Sequence, residues 1–510
     1  MYTKKIWDEW LAKESKNYST FSDPSTGLSK RKYLKKGYLH FDSRYWLPTL
    51  KDDFQKFISN SSNLESRAFY PFLKIVHKTP RFRFDPMTKK RVVDFKPRPI
   101  CYASHFDALI YSFCSHYLTK IYEDFIHKYE IDEVVLAYRT DLNKCNIDFS
   151  KEIFDYVEAN GACTAIALDV KGFFDNLDHQ ILKAKWIKVL DQGLTELPTE
   201  QFKVFKSLTT FSYVNKNTIL SDLNLKLANL STQPKSILEL VPGTRDFEKF
   251  RYLRSRNIIA TNIKPFGIPQ GSPMSAVLSN IYMVDFDRDM IAVAKDFGCL
   301  YRRYCDDILF VCPTENASRI KLEAYNKIAD YKLSIQKKKE EEILFQENSK
   351  GEFRAFDAKK LSLATNPINE LNEQKYYKPL QYLGFEYNGK NILIRSSSTS
   401  RYFRKMKARV DKTIKMAYSQ YGKGGRIMKR KLLHRYTHLG KRNFISYALN
   451  SSKLSYRVSS GVMKTGLGSQ AIRRQVSSHY SKLMKDLTRK NNARIGLKSY
   501  KGKLNKVKIV

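Results

Sequence analysis

Apolar and polar residues recur along this chain with two different periods, and each change of period marks an element. Helical spacing runs over residues 107–129, 178–190 and 273–293, and again from 401 onward, where the outward face is basic. Helices are predicted in each. The unbroken apolar run 163–168 predicts a buried strand ending on Asp169. Alternating segments on both sides of Asp85-Pro86 predict a hairpin over residues 81–95, with Lys89, Lys90 and Arg91 at its tip; a more apolar hairpin is predicted over 300–312. Trp7, Trp10 and Leu11 share a helical face in an N-terminal extension that also holds Lys30-Arg31-Lys32. Residues 191–259 read as a polar connection and 347–374 as a surface insertion, because neither sustains a period.

Two adjacent carboxylates, Asp306 and Asp307, interrupt the apolar and aromatic run from Tyr301 to Phe310. Neighbouring ionised carboxylates repel, and burying charge without a partner costs several kcal/mol. A cation resolves both costs, which makes this hairpin a candidate metal site. Asp169 stands at the end of a strand, followed by the Gly172 turn and a helix that Asp178 is placed to cap. Three such carboxylates can hold two Mg²⁺ ions about 3.5–4 Å apart, an arrangement that activates a 3′-hydroxyl and stabilises leaving pyrophosphate. Between them lies the loop Phe266-Gly267-Ile268-Pro269-Gln270-Gly271-Ser272-Pro273. Its glycines permit close backbone approach, Gln270 offers an amide, and Pro273 suits a first helical turn.

Charge narrows the partner. The chain has 510 residues and a formal charge of +40, of which residues 391–510 carry +29, with only Asp411 and Asp486 against 31 Lys and Arg. A field of that sign draws polyanions, and the interleaved Tyr, Phe and Arg suit stacked bases. No apolar stretch reaches membrane-spanning length and the N-terminus lacks a signal-peptide core, so a cytoplasmic protein without membrane contact is expected. Seven Cys, odd in number and without a C-x-x-C pair, predict reduced thiols used in packing.

In this order and spacing, the strand ending in Asp169, the loop Pro269-Gln270-Gly271 and the segment Tyr304-Cys305-Asp306-Asp307 resemble motifs A, B and C of reverse transcriptases. Lys96-Pro97-Arg98-Pro99-Ile100 with Asp107 is similar to the fingers segment of bacterial and group II intron-like enzymes. Leu333-Ser334-Ile335-Gln336-Lys337-Lys338-Lys339 is similar to motif D, and Tyr382-Leu383-Gly384-Phe385 to the motif E primer grip. The resemblance spans residues 70 to about 390. It implies an α+β right-hand polymerase: an extension at 1–65, fingers at 66–162, a palm with fingers insertions at 163–390, and a basic helical thumb and RNA-binding region at 391–510.

The same resemblance makes Asp169, Asp306 and Asp307 the catalytic metal ligands for two Mg²⁺, with the carbonyl of Val170 completing a site. Arg98 and a base among Lys89, Lys90, Arg91 and Lys96 would meet the incoming triphosphate, beside Gln270 and Gly271, and Lys339 would serve the pyrophosphate as general acid. Phe174, five residues after Asp169, matches the bulky residue that excludes a nucleotide 2′-hydroxyl, so dNTPs are the expected substrate and cDNA the product. Thiol ligation of Mg²⁺ by Cys305 is not expected, since a hard cation prefers oxygen. With its two acidic residues, the last 120-residue stretch offers no nuclease site.

The stretch Tyr38-Leu39-His40-Phe41-Asp42 and the layout are similar to defence-associated bacterial reverse transcriptases of the abortive-infection and unknown groups. An RNA template, in particular an associated noncoding RNA copied in antiphage defence, is the expectation. Protein-primed or untemplated DNA synthesis and a group II intron maturase-type RNA-binding protein are the alternatives, and a homo-oligomer is compatible with either.

Overall fold

The computed structural model describes residues 1–22, 29–33, 38–85, 87–223, 236–365, 367–419, 422, 426–458 and 461–507. The side chains of Arg91 and of Lys30-Arg31-Lys32 lie outside the described residues. The fold is α+β, built on a five-stranded antiparallel palm sheet in the order Phe353–Asp357, Glu341–Glu347, Cys163–Asp169, Asp307–Cys312, Leu300–Tyr304. Both faces of this sheet are covered at its centre, which is why Ala165–Leu168 and Ile308–Cys312 read as continuous apolar runs. Ile166, Leu168, Ile308 and Phe310 enter one core, while Ala165, Leu309 and Val311, displaced by one residue, enter the other.

The first core is roofed by helices His105–Lys128, His179–Leu190, Ser275–Tyr282, Val284–Asp296 and Ala317–Asp330. The second is closed by helix Asn146–Asn160, the three short strands Leu380–Tyr382, Phe385–Tyr387 and Ile392–Ile394, and the basic C-terminal helices. Met406, Val410 and Ile414 of Ser396–Ala417 and Leu483 and Leu487 of His479–Val507 bury one apolar stripe there, leaving the Lys and Arg outward. Among the described residues no helix is long and apolar enough to cross a membrane.

Four expectations are corrected. The helical pattern at 273–293 is two helices, divided at Met283 (φ −92°, ψ 3°), because a local turn re-aims the second half. The described part of residues 191–259 contains helices Thr199–Thr209, Lys216–Asp222 and Asp246–Ser255, with strands Ser212–Asn215 and Ile259–Thr261. Each element buries only a few apolar side chains, such as Val204 and Leu208 or Leu253, too few to establish a period. Within 347–374, Phe353–Asp357 forms an edge of the palm sheet and buries Ala355 and Phe356. The hairpin at 81–95 is far longer, a ribbon of Phe72–Asp85 against Lys90–Tyr102.

The N-terminal helix Lys4–Ser15 packs into the first core, with Trp7 and Trp10 against Phe54 and Phe113. Asp42 accepts hydrogen bonds from the amides of His105 and Phe106, both at 2.8 Å, and so caps the helix His105–Lys128. Asp107, one turn in, is held by Arg67 at 2.8 Å and by the Tyr70 amide at 2.9 Å. Both carboxylates serve that helix start.

Candidate active site

The palm hairpin turns in two residues. Tyr304 pairs with Asp307 across the strands, leaving Cys305 and Asp306 as the turn, and Cys305 adopts φ 60°. Left-handed backbone costs a residue with a Cβ about 1–2 kcal/mol, so something must hold it. One tether is the Val170 amide, which donates to the Asp306 carbonyl at 3.0 Å. Another is Arg303, buried completely, whose guanidinium donates to the Cys305 carbonyl at 3.1 Å.

The register then sets the chemistry. Asp169 and Asp307 are direct partners on adjacent strands, so the three carboxylates lie at the same end of the two strands. Burial, followed by the charges of Asp306 and Asp169, pushes the Asp307 carboxyl up to about 6, and burial raises Asp306 as well. Asp169 is paired with the Lys339 ammonium. The segment carrying Lys339 is stitched to the strand end by two amides, Lys171 to the Ser334 carbonyl at 2.8 Å and Gln336 to the Asp169 carbonyl at 2.7 Å. Among the described residues no three acidic, His or Cys side chains converge on a common point. The donor set nonetheless fits a hard divalent cation: oxygen ligands only, two of them carboxyls whose burial disfavours the ionised form unless a cation stands beside it. Asp169, Asp306, Asp307 and the backbone of Val170 would hold it. Burial pushes the Cys305 thiol up to about 12, so it stays protonated and is no ligand.

These groups line a cavity of about 880 Å³. On one wall stand Phe174 and Gln270. Gln270 is fixed by a hydrogen bond from the Cys101 amide to its carbonyl at 2.8 Å, and Gly271 beside it has φ 113°, where an added Cβ would lie 2.6 Å from the Cys101 carbonyl oxygen. Only glycine fits. The same loop accepts no side chain at Gly267 for the same reason, its φ being 89° with the Asp175 carbonyl 3.0 Å from a built Cβ. Gly271 itself contacts the ribbon and does not line the cavity.

Lys96 and Arg98 of the ribbon reach the cavity, joined by Arg81. Burial and then the nearby Lys339, Arg98 and Arg81 lower the Lys96 ammonium. Lys89 and Lys90 sit at the far tip, away from the cavity, because the ribbon is so long. Tyr382, Leu383 and Gly384 also line the cavity, although the Tyr382 ring, like Phe385, is buried in the second core. Leu383 and Gly384, with φ 42° and 99°, form a tight hairpin turn. The Tyr382 hydroxyl is buried without a hydrogen-bond partner.

The sequence reading missed Arg81, Arg395 and Arg303. Arg395 follows the last short strand, donates its amide to the Gly384 carbonyl at 3.0 Å, and lines the cavity. Arg303 had a signal: Tyr301, Arg303 and Cys305 alternate inward on one strand, and Met283, Asp287, Met290 and Ala294 share a helical stripe. Each inward row contains one opposite charge.

Residues 228–387 match the family described as "Reverse transcriptase (RNA-dependent DNA polymerase)"; Gln270, Asp306, Asp307, Lys339 and Tyr382 fall inside the match and Asp169 precedes it. Solved structures similar to this chain include the apo telomerase of Candida tropicalis truncated from its C-terminal domain, at 10% identity and TM-score 0.37, covering 77% of this chain and 61% of that one. Another is the telomerase of Candida albicans with a fragment of telomeric RNA, at 12% identity and TM-score 0.35, covering 81% and 53%. The chain thus spans between half and two thirds of the length of these structures. Residues 228–387 are thus similar to the reverse transcriptase family, while Asp169 and the rest of the chain lie outside that match.

Proposed function

We propose that this protein copies RNA into DNA at the Asp169, Asp306 and Asp307 cluster. The observation that carries the reading is the direct pairing of Asp169 with Asp307 at the floor of a cavity whose other walls carry Lys96, Arg98 and Lys339. When bound there, two Mg²⁺ ions supply activation of a primer 3′-hydroxyl and neutralisation of the departing pyrophosphate. The chain's own groups do the rest. Arg98 and Lys96 hold the triphosphate by charge-assisted hydrogen bonds, with Gln270 against the base pair. Phe174 fills the space a 2′-hydroxyl would need. Lys339 swings from Asp169 to the leaving phosphates and donates a proton there. Tyr382, Leu383 and Gly384 seat the primer end, and Phe385 anchors that turn in the core.

The domain layout that goes with this reading places fingers at 66–162, the palm at 163–390 and a thumb that grips duplex and structured RNA at 391–510. A noncoding RNA bound by the basic C-terminal surface is the template, and defence against phage in a bacterial cytoplasm is the setting. Primer extension on an RNA template with dNTPs and Mg²⁺, followed by sequencing of nucleic acid that co-purifies with wild type and with Asp306→Ala/Asp307→Ala, tests it. Extension by wild type alone, and a DNA complementary to a bound RNA in wild type alone, are expected. DNA without a complementary RNA would replace templated by untemplated synthesis, and equal products from both proteins would end the enzymatic reading.

A further inference from the structure

Arg303 makes six polar contacts without touching the cavity. Its Nε and Nη2 donate to Asp287 at 2.7 and 2.6 Å, and its Nη1 donates to the Cys305 carbonyl at 3.1 Å and to Asn280 Oδ1 at 3.3 Å. Its backbone amide and carbonyl pair with Val134 and Leu136 at 2.8 and 3.0 Å. The partners are fixed in turn: Tyr301 donates to Asp287 at 2.7 Å, and Asn280 donates to the Ala137 carbonyl at 2.9 Å. Arg303 and Asp287 are both fully buried, and Asn280 nearly so. Two helices, Ser275–Tyr282 and Val284–Asp296, therefore meet one guanidinium behind the metal-binding turn.

A buried ion pair is weak evidence for stability, since desolvation offsets much of the attraction, and its better-attested use is to specify one geometry. The geometry specified here is unusual. Cys305 is a side-chain-bearing residue at φ 60°, and the next two residues are the carboxylates. If the turn relaxed to an ordinary conformation, the Cys305 carbonyl would rotate away from Nη1 and Asp306 and Asp307 would turn with it. A planar fork is the only side chain that grips a carboxylate with one edge and a carbonyl with the remaining nitrogen; an ammonium cannot do both.

We propose that Arg303, locked by Asp287 and Asn280, is a positioning residue that holds the Cys305 turn in its left-handed conformation and thereby sets the separation of Asp306 and Asp307 for metal binding. The proposal rests on the polymerase reading above. Its test uses the full chain, a primer on an RNA template, dNTPs and titrated Mg²⁺, beginning from measurable extension by wild type; absence of extension by wild type would sink the polymerase reading itself, before any variant is compared.

Arg303→Lys retains the charge opposite Asp287 and loses the grip on Cys305. Supporting partners of metal sites cost about 10- to 100-fold in metal affinity or activity when changed. The same loss in kcat is expected, with the Mg²⁺ requirement raised and the KM for dNTP changed by less than about threefold. Cys305→Gly in that background supplies the distinguishing readout, because glycine takes φ near 60° without strain. It should restore most of the lost kcat while leaving the melting temperature of Arg303→Lys unrepaired. Loss without rescue, or loss that follows the melting temperature alone, would reduce Arg303 to a packing residue and overturn the proposal. Should Arg303→Lys not fold, Asn280→Ala removes one tether without stranding a charge. Its smaller kcat loss should again be relieved by Cys305→Gly, and an unrelieved loss would overturn the proposal equally.

Discussion

Two hairpins face each other across the cavity and are built on opposite principles. The palm hairpin, Leu300–Tyr304 with Asp307–Cys312, lies between two cores, turns in two residues, and is braced from behind by a buried ion pair. The ribbon, Phe72–Asp85 with Lys90–Tyr102, joins its sheet only at Phe72, Leu73 and Lys74, through a parallel strand. Beyond that point it is a two-stranded hairpin with Phe84, Val93 and Phe95 exposed and the half-exposed Phe82 ring 3.9 Å from the Arg404 guanidinium of the helix Ser396–Ala417. Isolated hairpins are marginally stable at best. The one brings three carboxylates to the cavity; the other brings the long cationic side chains of Arg81, Lys96 and Arg98. On the proposed function, the heavily braced hairpin is the one that would space metal ions, and the lightly packed one is the one that would meet the incoming substrate.

The largest effect that bears on this contrast is at the palm turn. Asp307→Asn should lower primer extension by about 10³-fold, because metal-borne charge stabilisation amounts to several kcal/mol. Its melting temperature should not fall, since a repelled charge has been removed. A variant that retains more than a tenth of wild-type activity would place the ligands elsewhere.

Packing should separate the hairpins nearly as sharply. Phe310→Ala, at a wholly buried position, should cost about 3–5 kcal/mol in denaturant unfolding. Phe84→Ala, 63% exposed, should stay within about 0.5 kcal/mol of wild type. Similar losses at both sites would mean that the ribbon is covered in solution. On the ribbon's inner side, Arg98→Ala should raise the KM for dNTP about 10- to 100-fold, the range for losing hydrogen bonds to charged groups. A drop in kcat with KM intact would move Arg98 away from the triphosphate.

The last expected effect is in pH. Asp307 has its carboxyl raised to about 6, so between the ordinary carboxylate range and that value the metal-free native protein holds a proton that the unfolded chain has released. Stability measured in EDTA, taken relative to Asp307→Asn, should therefore fall as pH rises through roughly 4 to 6 and level off above. Mg²⁺ should flatten that slope, because it binds the ionised form. A rising relative stability across this window would show that Asp307 is not crowded by its neighbours.

What could be read from the sequence was local. The doublet, the strand ending in Asp169 and the glycine loop are each a few residues long, and each breaks its surroundings: charge in an apolar run, or glycine where backbone must approach backbone. Asp178 was legible as a cap, and it accepts from the Gln180 and Ile181 amides at 3.0 and 3.1 Å. Relations between distant segments were not. Arg303 and Asp287 each looked like a defect in an apolar row, and only the fold makes one defect the answer to the other. Arg81 and Arg395 are two among many cations until the ribbon and the turn at Gly384 bring them to one cavity. The small sheet that takes in Ser212–Asn215 and Ile259–Thr261 escaped because strands of three or four residues are too short to show a period.

The close approach at Gly271 has a mechanical consequence. With the Cys101 amide bonded to Gln270 and no room for even a methyl group between the two backbones, the root of the ribbon and the loop are one body. A lever hinged below that weld would drag Gln270 out of register with Phe174 at each stroke. Bending of the ribbon above that weld would therefore leave Gln270 and Phe174 where they stand.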